Sequence, residues 1–227
     1  YTFLNKIAKR FPKKQLCTLA YLHTYNPPIN LKIASNITTL FCPIEMDRGD
    51  PISLKNNNKP VANALARWQS ASKNLFVWDY TVQFANYMSP FPNLSYFVEN
   101  YTTFKANNVK GLFVQGYADV PGDFSELRQY LLAKLLWDAS IDVKATTADF
   151  LRGFYGKAAS EIENYLKLLS ENQKKSKAYL DIYSGPVQNR TTYLTPEAMN
   201  QYDKFLEKAW QAVDEDKTIQ KRVEKLR

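Results

Sequence analysis

Glu45 and Asp79 are the two carboxylates of this chain best placed to do chemistry. The run Ile37-Thr38-Thr39-Leu40-Phe41-Cys42-Pro43-Ile44 ends at Glu45, and Leu75-Phe76-Val77-Trp78 leads into Asp79-Tyr80. A short β-rich apolar run closed by polar residues reads as a buried strand with a functional end. Two more runs share the form: Gln15 to Tyr21, followed by His23, and Gly111-Leu112-Phe113-Val114, followed by Gln115-Gly116-Tyr117. In parallel α/β folds ligands bind beyond the carboxyl ends of the strands. The expected rim therefore holds Tyr21, His23, Glu45, Trp78, Asp79, Tyr80, Gln115 and Tyr117. Adjacent strands lie about 4.8 Å apart. Carboxyl groups on consecutive strands can then stand about 5–9 Å apart, the range that serves acid–base cleavage of a glycosidic bond. Trp78, Tyr80 and Tyr117 would offer flat faces to sugar rings, and His23 and Gln115 would bind hydroxyls.

Plainer roles compete at each position. Glu45 can cap a loop or pair with Arg48, and Asp79 can hold a loop through backbone amides. Side chains alternate along a strand, so Asp79 faces the site only if Trp78 faces the helices. His23 is the only histidine and has no metal-ligand partners nearby in sequence, so no metal and no cofactor is expected. Asp119 and Asp123 read as loop and cap residues. There is no nucleophile elbow and no phosphate-cradling glycine loop.

The elements that would position the rim follow from periodicity. Helices are expected over 2–10, 60–72, 97–107 and 124–137, and strands over 15–21, 37–44, 75–79 and 110–115. Phe41, Val77 and Phe113 recur at equal intervals, as successive strand–loop–helix units would. Long loops follow the strands and short ones precede them; a sheet carrying function at one end has that asymmetry. From about residue 142 the pattern is helical, over 146–155, 158–172 and from Thr195-Pro196-Glu197 to about 214. The last of these opens on an N-cap, a proline at the first helical position and an acid in the first turn. Alternating strands and helices give a parallel sheet. Four strands alone would leave two open edges. The expected architecture is α/β, the C-terminal half of a TIM (β/α)8 barrel over 1–140, followed by an α-helical extension over 141–227, with the remainder of the same barrel upstream; an open doubly wound sheet is the runner-up.

The bulk properties fit that reading. The chain has 227 residues, 15 Tyr, 13 Phe and a net charge of +8. Its lysines are scattered, with short runs only at Lys13-Lys14 and Lys174-Lys175, which argues against a nucleic-acid face. Cys17 and Cys42 each fall inside an expected strand, where a thiol acts as a small apolar group. No apolar stretch approaches a membrane span. The chain opens without Met, inside one amphipathic pattern, and stops inside another at Ile219, Val223 and Leu226, so it reads as an internal or truncated segment. Asn36, Asn93, Asn100 and Asn189 head Asn-X-Ser/Thr sequons, which matter only in a eukaryotic secreted protein.

Several motifs occur in a telling order: Phe11-Pro12, Leu19-Ala20-Tyr21, Pro27-Pro28, Cys42-Pro43-Ile44-Glu45, Trp78-Asp79-Tyr80, Pro90-Phe91-Pro92-Asn93-Leu94, Gly111 to Gly116, Leu127 to Trp137, and Phe154-Tyr155-Gly156. Together they resemble an uncharacterised bacterial family of glycoside-hydrolase-like barrels, a domain of unknown function distantly similar to α-glucuronidases and β-hexosaminidases. The resemblance covers nearly the whole chain. It implies an exported protein, periplasmic or at the cell surface, that acts on glycan or polysaccharide with part of its site outside this segment. Many relatives carry Glu before the Gln-Gly pair, where this chain has Val114, so Glu45 and Asp79 stay the candidate catalytic pair. The resemblance leaves two glycan readings, a hydrolase of O-glycosyl bonds and a non-catalytic glycan-binding protein on the same fold. A third reading is an interaction module with an exposed apolar stripe at Phe205 and Trp210.

Overall fold

The computed structural model describes residues 1–117 and 122–227, so Asp119 and Pro121 lie outside the described residues. The chain is α/β. Four strands, β1 (Leu16–Ala20), β2 (Ile37–Phe41), β3 (Asn74–Tyr80) and β4 (Gly111–Gln115), form one sheet in the order β1-β2-β3-β4. All three pairings are parallel, with Ala20 opposite Phe41, Phe41 opposite Val77, and Tyr80 opposite Gln115. Eight α-helices accompany them among the described residues: α1 (Thr2–Arg10), α2 (Lys59–Ala71), α3 (Phe97–Ala106), α4 (Ser125–Trp137), α5 (Val143–Tyr155), α6 (Ala159–Ser176), α7 (Pro196–Gln211) and α8 (Lys217–Glu224).

Two compact units interleave along the chain, where a single boundary near residue 140 was expected. The first takes in Tyr1–Thr81 and Glu99–Gly116, and the second Val82–Val98 and Tyr117–Arg227.

In the first unit the parallel register gives the sheet two unlike faces. Ile37, Thr39, Phe41, Leu75, Val77 and Asp79 share one face, and all are buried. Helices cover it. The Tyr1 hydroxyl lies 3.2 Å from Thr39 Oγ1, the Tyr1 ring packs on Trp68 of α2, and Trp68 Nε1 donates to the Tyr25 carbonyl at 2.7 Å. The other face carries Cys17, Leu19, Leu40, Phe76, Trp78 and Phe113. Leu19 is 43% and Phe113 50% exposed, so this apolar face is open. Phe76 lies over Gly111, where an added Cβ would stand 2.6 Å from its ring. The glycine is what lets that ring settle on β4.

The second unit is built on helices. Tyr155, Ile162, Tyr165, Leu169, Tyr202 and Leu206 form its core with Phe124, Leu127 and Leu131 of the α4 segment. Asp142 caps α5 by accepting from the Ala145 amide at 3.0 Å, and Thr195 caps α7 by accepting from Ala198 at 3.2 Å. Side-chain oxygens there satisfy amides that lack a partner within the helix. Arg128 and Asp123 form a buried ion pair at 2.6 Å, so Asp123 is more than the cap residue its sequence context suggests. Arg128 also donates to the Phe91 carbonyl at 2.5 Å and to Asn93. Phe205 and Trp210 pack against the core rather than forming an exposed stripe.

Candidate functional site

The site is built at the carboxyl ends of β2, β3 and β4. β2 was expected to run to residue 44 but stops at Phe41. Pro43 has no amide hydrogen to give a ladder, and the chain turns there. Glu45 therefore stands beyond the strand, exposed, on the turn that follows. One buried side chain ties that turn down. Arg48 Nη1 donates to the Ile44 carbonyl at 3.1 Å and the Met46 carbonyl at 2.5 Å, and Nη2 donates to Pro43 at 3.3 Å. Its Nε donates to the Tyr80 carbonyl at 2.6 Å, which joins the turn to the end of β3. The guanidinium lies 5.6 Å from the centre of the Tyr80 ring.

Trp78 and Asp79 take the reverse of the arrangement a catalytic Asp79 requires. Trp78 lies on the open face, where its Nε1 donates to Gln115 Oε1 at 2.9 Å. Its ring meets Phe113 edge-on at 4.5 Å and Tyr80 at 6.3 Å. Asp79 is 3% exposed, on the helix-covered face, and accepts from the Tyr80 amide at 2.8 Å. Burial pushes its carboxyl above the usual carboxylate range; the Arg48 charge, the Tyr80 amide and the Tyr101 hydroxyl of α3 act against that rise. The physical reason for the reversal is the supply of partners. The indole N–H finds Gln115 across β4, and the carboxylate finds an amide, a hydroxyl and a cation on the side where helices pack.

The remaining rim residues divide. Tyr80 is buried beside Cys42, and their side chains hydrogen-bond. Burial pushes the Cys42 thiol up to about 11, which keeps it protonated and a poor nucleophile at neutral pH. Burial likewise raises the Tyr80 hydroxyl, and Cys42 and the neighbouring Tyr21 add to that. The structure thus brings Tyr21, Tyr80 and Cys42 together, with Trp78 and Gln115 alongside. His23 lies in the short 3-10 turn Leu22–Thr24 and is exposed. Tyr117 belongs to the second unit, where its hydroxyl donates to the Asp123 carbonyl at 2.8 Å and its ring meets Tyr87 edge-on.

Sequence reasoning missed Arg48 as an organising group, although a lone arginine after a strand-ending Pro-Ile-Glu was visible. The sequon asparagines turn out to be structural. Asn93, Asn100 and Asn189 are buried, and Asn36 gives its amide to the carbonyls of Ala8, Phe11 and Lys14. Among the described residues no group of three or more His, Cys, Asp or Glu could hold a metal ion, and no helix is long and apolar enough to cross a membrane.

A family model described as a domain of unknown function (DUF4838) matches residues 1–167. No curated protein and no solved structure matches the chain.

Proposed function

The chain belongs to the DUF4838 family, and on that premise we propose that it is part of an exported glycoside-hydrolase-like protein. Its sheet is the C-terminal half of a (β/α)8 barrel. The observation that carries the proposal is the open face of a wholly parallel sheet, apolar through its middle and aromatic at its carboxyl end. Parallel sheets in proteins have both faces covered. Eight strands close a barrel whose interior is packed and whose active site lies at the carboxyl ends of the strands. Upstream strands of the same barrel would cover Leu19, Leu40, Phe76 and Phe113. Trp78, Tyr80 and Tyr21 would then line the mouth with flat faces for a sugar. Glu45, exposed on the turn beside them, is the carboxylate this segment offers to acid–base hydrolysis. The buried position of Asp79 favours a second carboxylate from the upstream half.

The test is hydrolysis of a panel of aryl glycosides and polysaccharides by a natural chain that carries the upstream strands, with Glu45→Gln and Asp79→Asn beside it. We expect Glu45→Gln to lower turnover about a hundredfold or more, the scale of general acid–base catalysis, while the fold is kept. A Glu45→Gln variant that is stable and fully active removes Glu45 from the chemistry. Saturable sugar binding without turnover, lost in Trp78→Ala, would instead identify a glycan-binding protein; the aromatic cluster around Trp78 would serve either.

A further inference from the structure

We propose that Arg48 is a positioning residue that fixes where Glu45 stands. The inference rests on the reading of Glu45 as the carboxylate at the site. Glu45 is exposed on a turn outside any strand or helix, where no backbone ladder fixes the chain. The backbone on both sides of it is nevertheless held. The carbonyls of Pro43 and Ile44 precede it, that of Met46 follows it, and all three accept from one guanidinium. The fourth acceptor, the Tyr80 carbonyl, closes β3. Arg48 thereby references the Glu45 turn to the strand that carries Trp78.

Arginine suits the task for a chemical reason. Its planar fork presents five N–H donors in fixed directions, and it stays charged when buried. Arg48 is 2% exposed. Its charge also acts on the buried Asp79 carboxyl, against the rise that burial causes. A lysine keeps the charge but places three donors at one point, and cannot reproduce a fork spread over four carbonyls. Displacing a reacting group by about 1 Å can cost as much as a hundredfold in rate.

The test reads order at residue 45 directly. In the full chain with Cys17→Ser, a nitroxide is attached at Glu45→Cys; a second protein carries it at Met199→Cys, an exposed site on α7. With Arg48 present, the label at position 45 should be as ordered as the helix label. Arg48→Lys should increase motion at position 45 and leave position 199 unchanged. Narrow lines at position 45 in the protein that retains Arg48 would overturn the proposal, and that measurement stands whether or not the lysine variant folds. So would an unchanged spectrum in a folded Arg48→Lys protein. In the hydrolysis assay Arg48→Lys should lower kcat about tenfold to a hundredfold with KM little changed. The two readouts separate the two failures. If Glu45→Gln abolishes turnover but the label ignores Arg48→Lys, the positioning role is wrong and the hydrolase reading stands. If the label responds but Glu45→Gln leaves turnover intact, Glu45 is not the catalytic group and the positioning role for catalysis falls with it.

Discussion

The two faces of the sheet are made from the same four strands and live under different constraints. On the covered face, Phe41, Val77 and their neighbours are wholly buried, and the polar groups among them, Thr39 and Asp79, each meet a partner. On the open face, Leu19 and Phe113 are half exposed, and polar contacts stand at its two ends: Gln15 donates to Thr38 and Asn74 to the Ser35 carbonyl at the amino end, and Trp78 donates to Gln115 at the carboxyl end. The covered face teaches what holds this segment together. The open face teaches what the segment is suited to receive, since an apolar surface on a parallel sheet is stable only when something lies on it.

The sharpest way to break the comparison is to remove one ring from each face. Phe41→Ala should cost about 3–5 kcal/mol, the loss typical of emptying a packed aromatic site. Phe113→Ala should cost only about 1 kcal/mol, chiefly its edge contact with Trp78. Urea unfolding of both variants decides it; equal costs would mean that the open face is already doing the work of a core.

A smaller effect concerns Asp79. Its folded pKa is raised, so the native state binds the proton more tightly than the unfolded chain does. Stability should therefore fall as pH rises from about 4 through the folded pKa. Asp79→Asn removes that term, and its stability should fall less than the parent's between acid and neutral pH when the two are compared by thermal unfolding. A variant with the parent's slope would show that the buried carboxyl does not titrate as its surroundings require.

The smallest effect leaves stability untouched and reads exposure alone. Cys17 is exposed and should react with a thiol reagent within the folded chain. Cys42 is 1% exposed, with a thiol held protonated, and should react only on unfolding. Two equally fast thiols would mean that the carboxyl end of the open face is not closed around Tyr80.

Much of the fold was legible. Alternating apolar runs and helical stripes gave the four strands and their parallel arrangement, because period and loop length are properties of the chain itself. The cap of α7 could be read because Thr195 acts on an amide three residues away, whereas α5 starts at Val143 behind an Asp142 cap, earlier than the expected 146. The site was legible only as a group of candidates. Trp78, Tyr80 and Gln115 gather because β3 and β4 pair in register, and Tyr21, just past β1, lies close enough to act on Tyr80. Tyr117 lies one residue past Gly116 and is committed to Asp123 in the second unit.

By itself the sequence determined the four strands and their parallel arrangement, the helical second half and the shortlist of rim residues, since each rests on local periodicity or on loop length; the strand order came only with the sheet. Only the tertiary structure decided which way β3 faces. Alternation says that Trp78 and Asp79 point to opposite sides, but not which side either takes. That choice belongs to partners distant in sequence: Gln115 for the indole, Tyr101 and Arg48 around the carboxylate. The same holds for Arg48. Nothing in its neighbourhood announces that one side chain will gather carbonyls from both β2's turn and the end of β3, because hydrogen bonds between distant segments exist only once the sheet has formed.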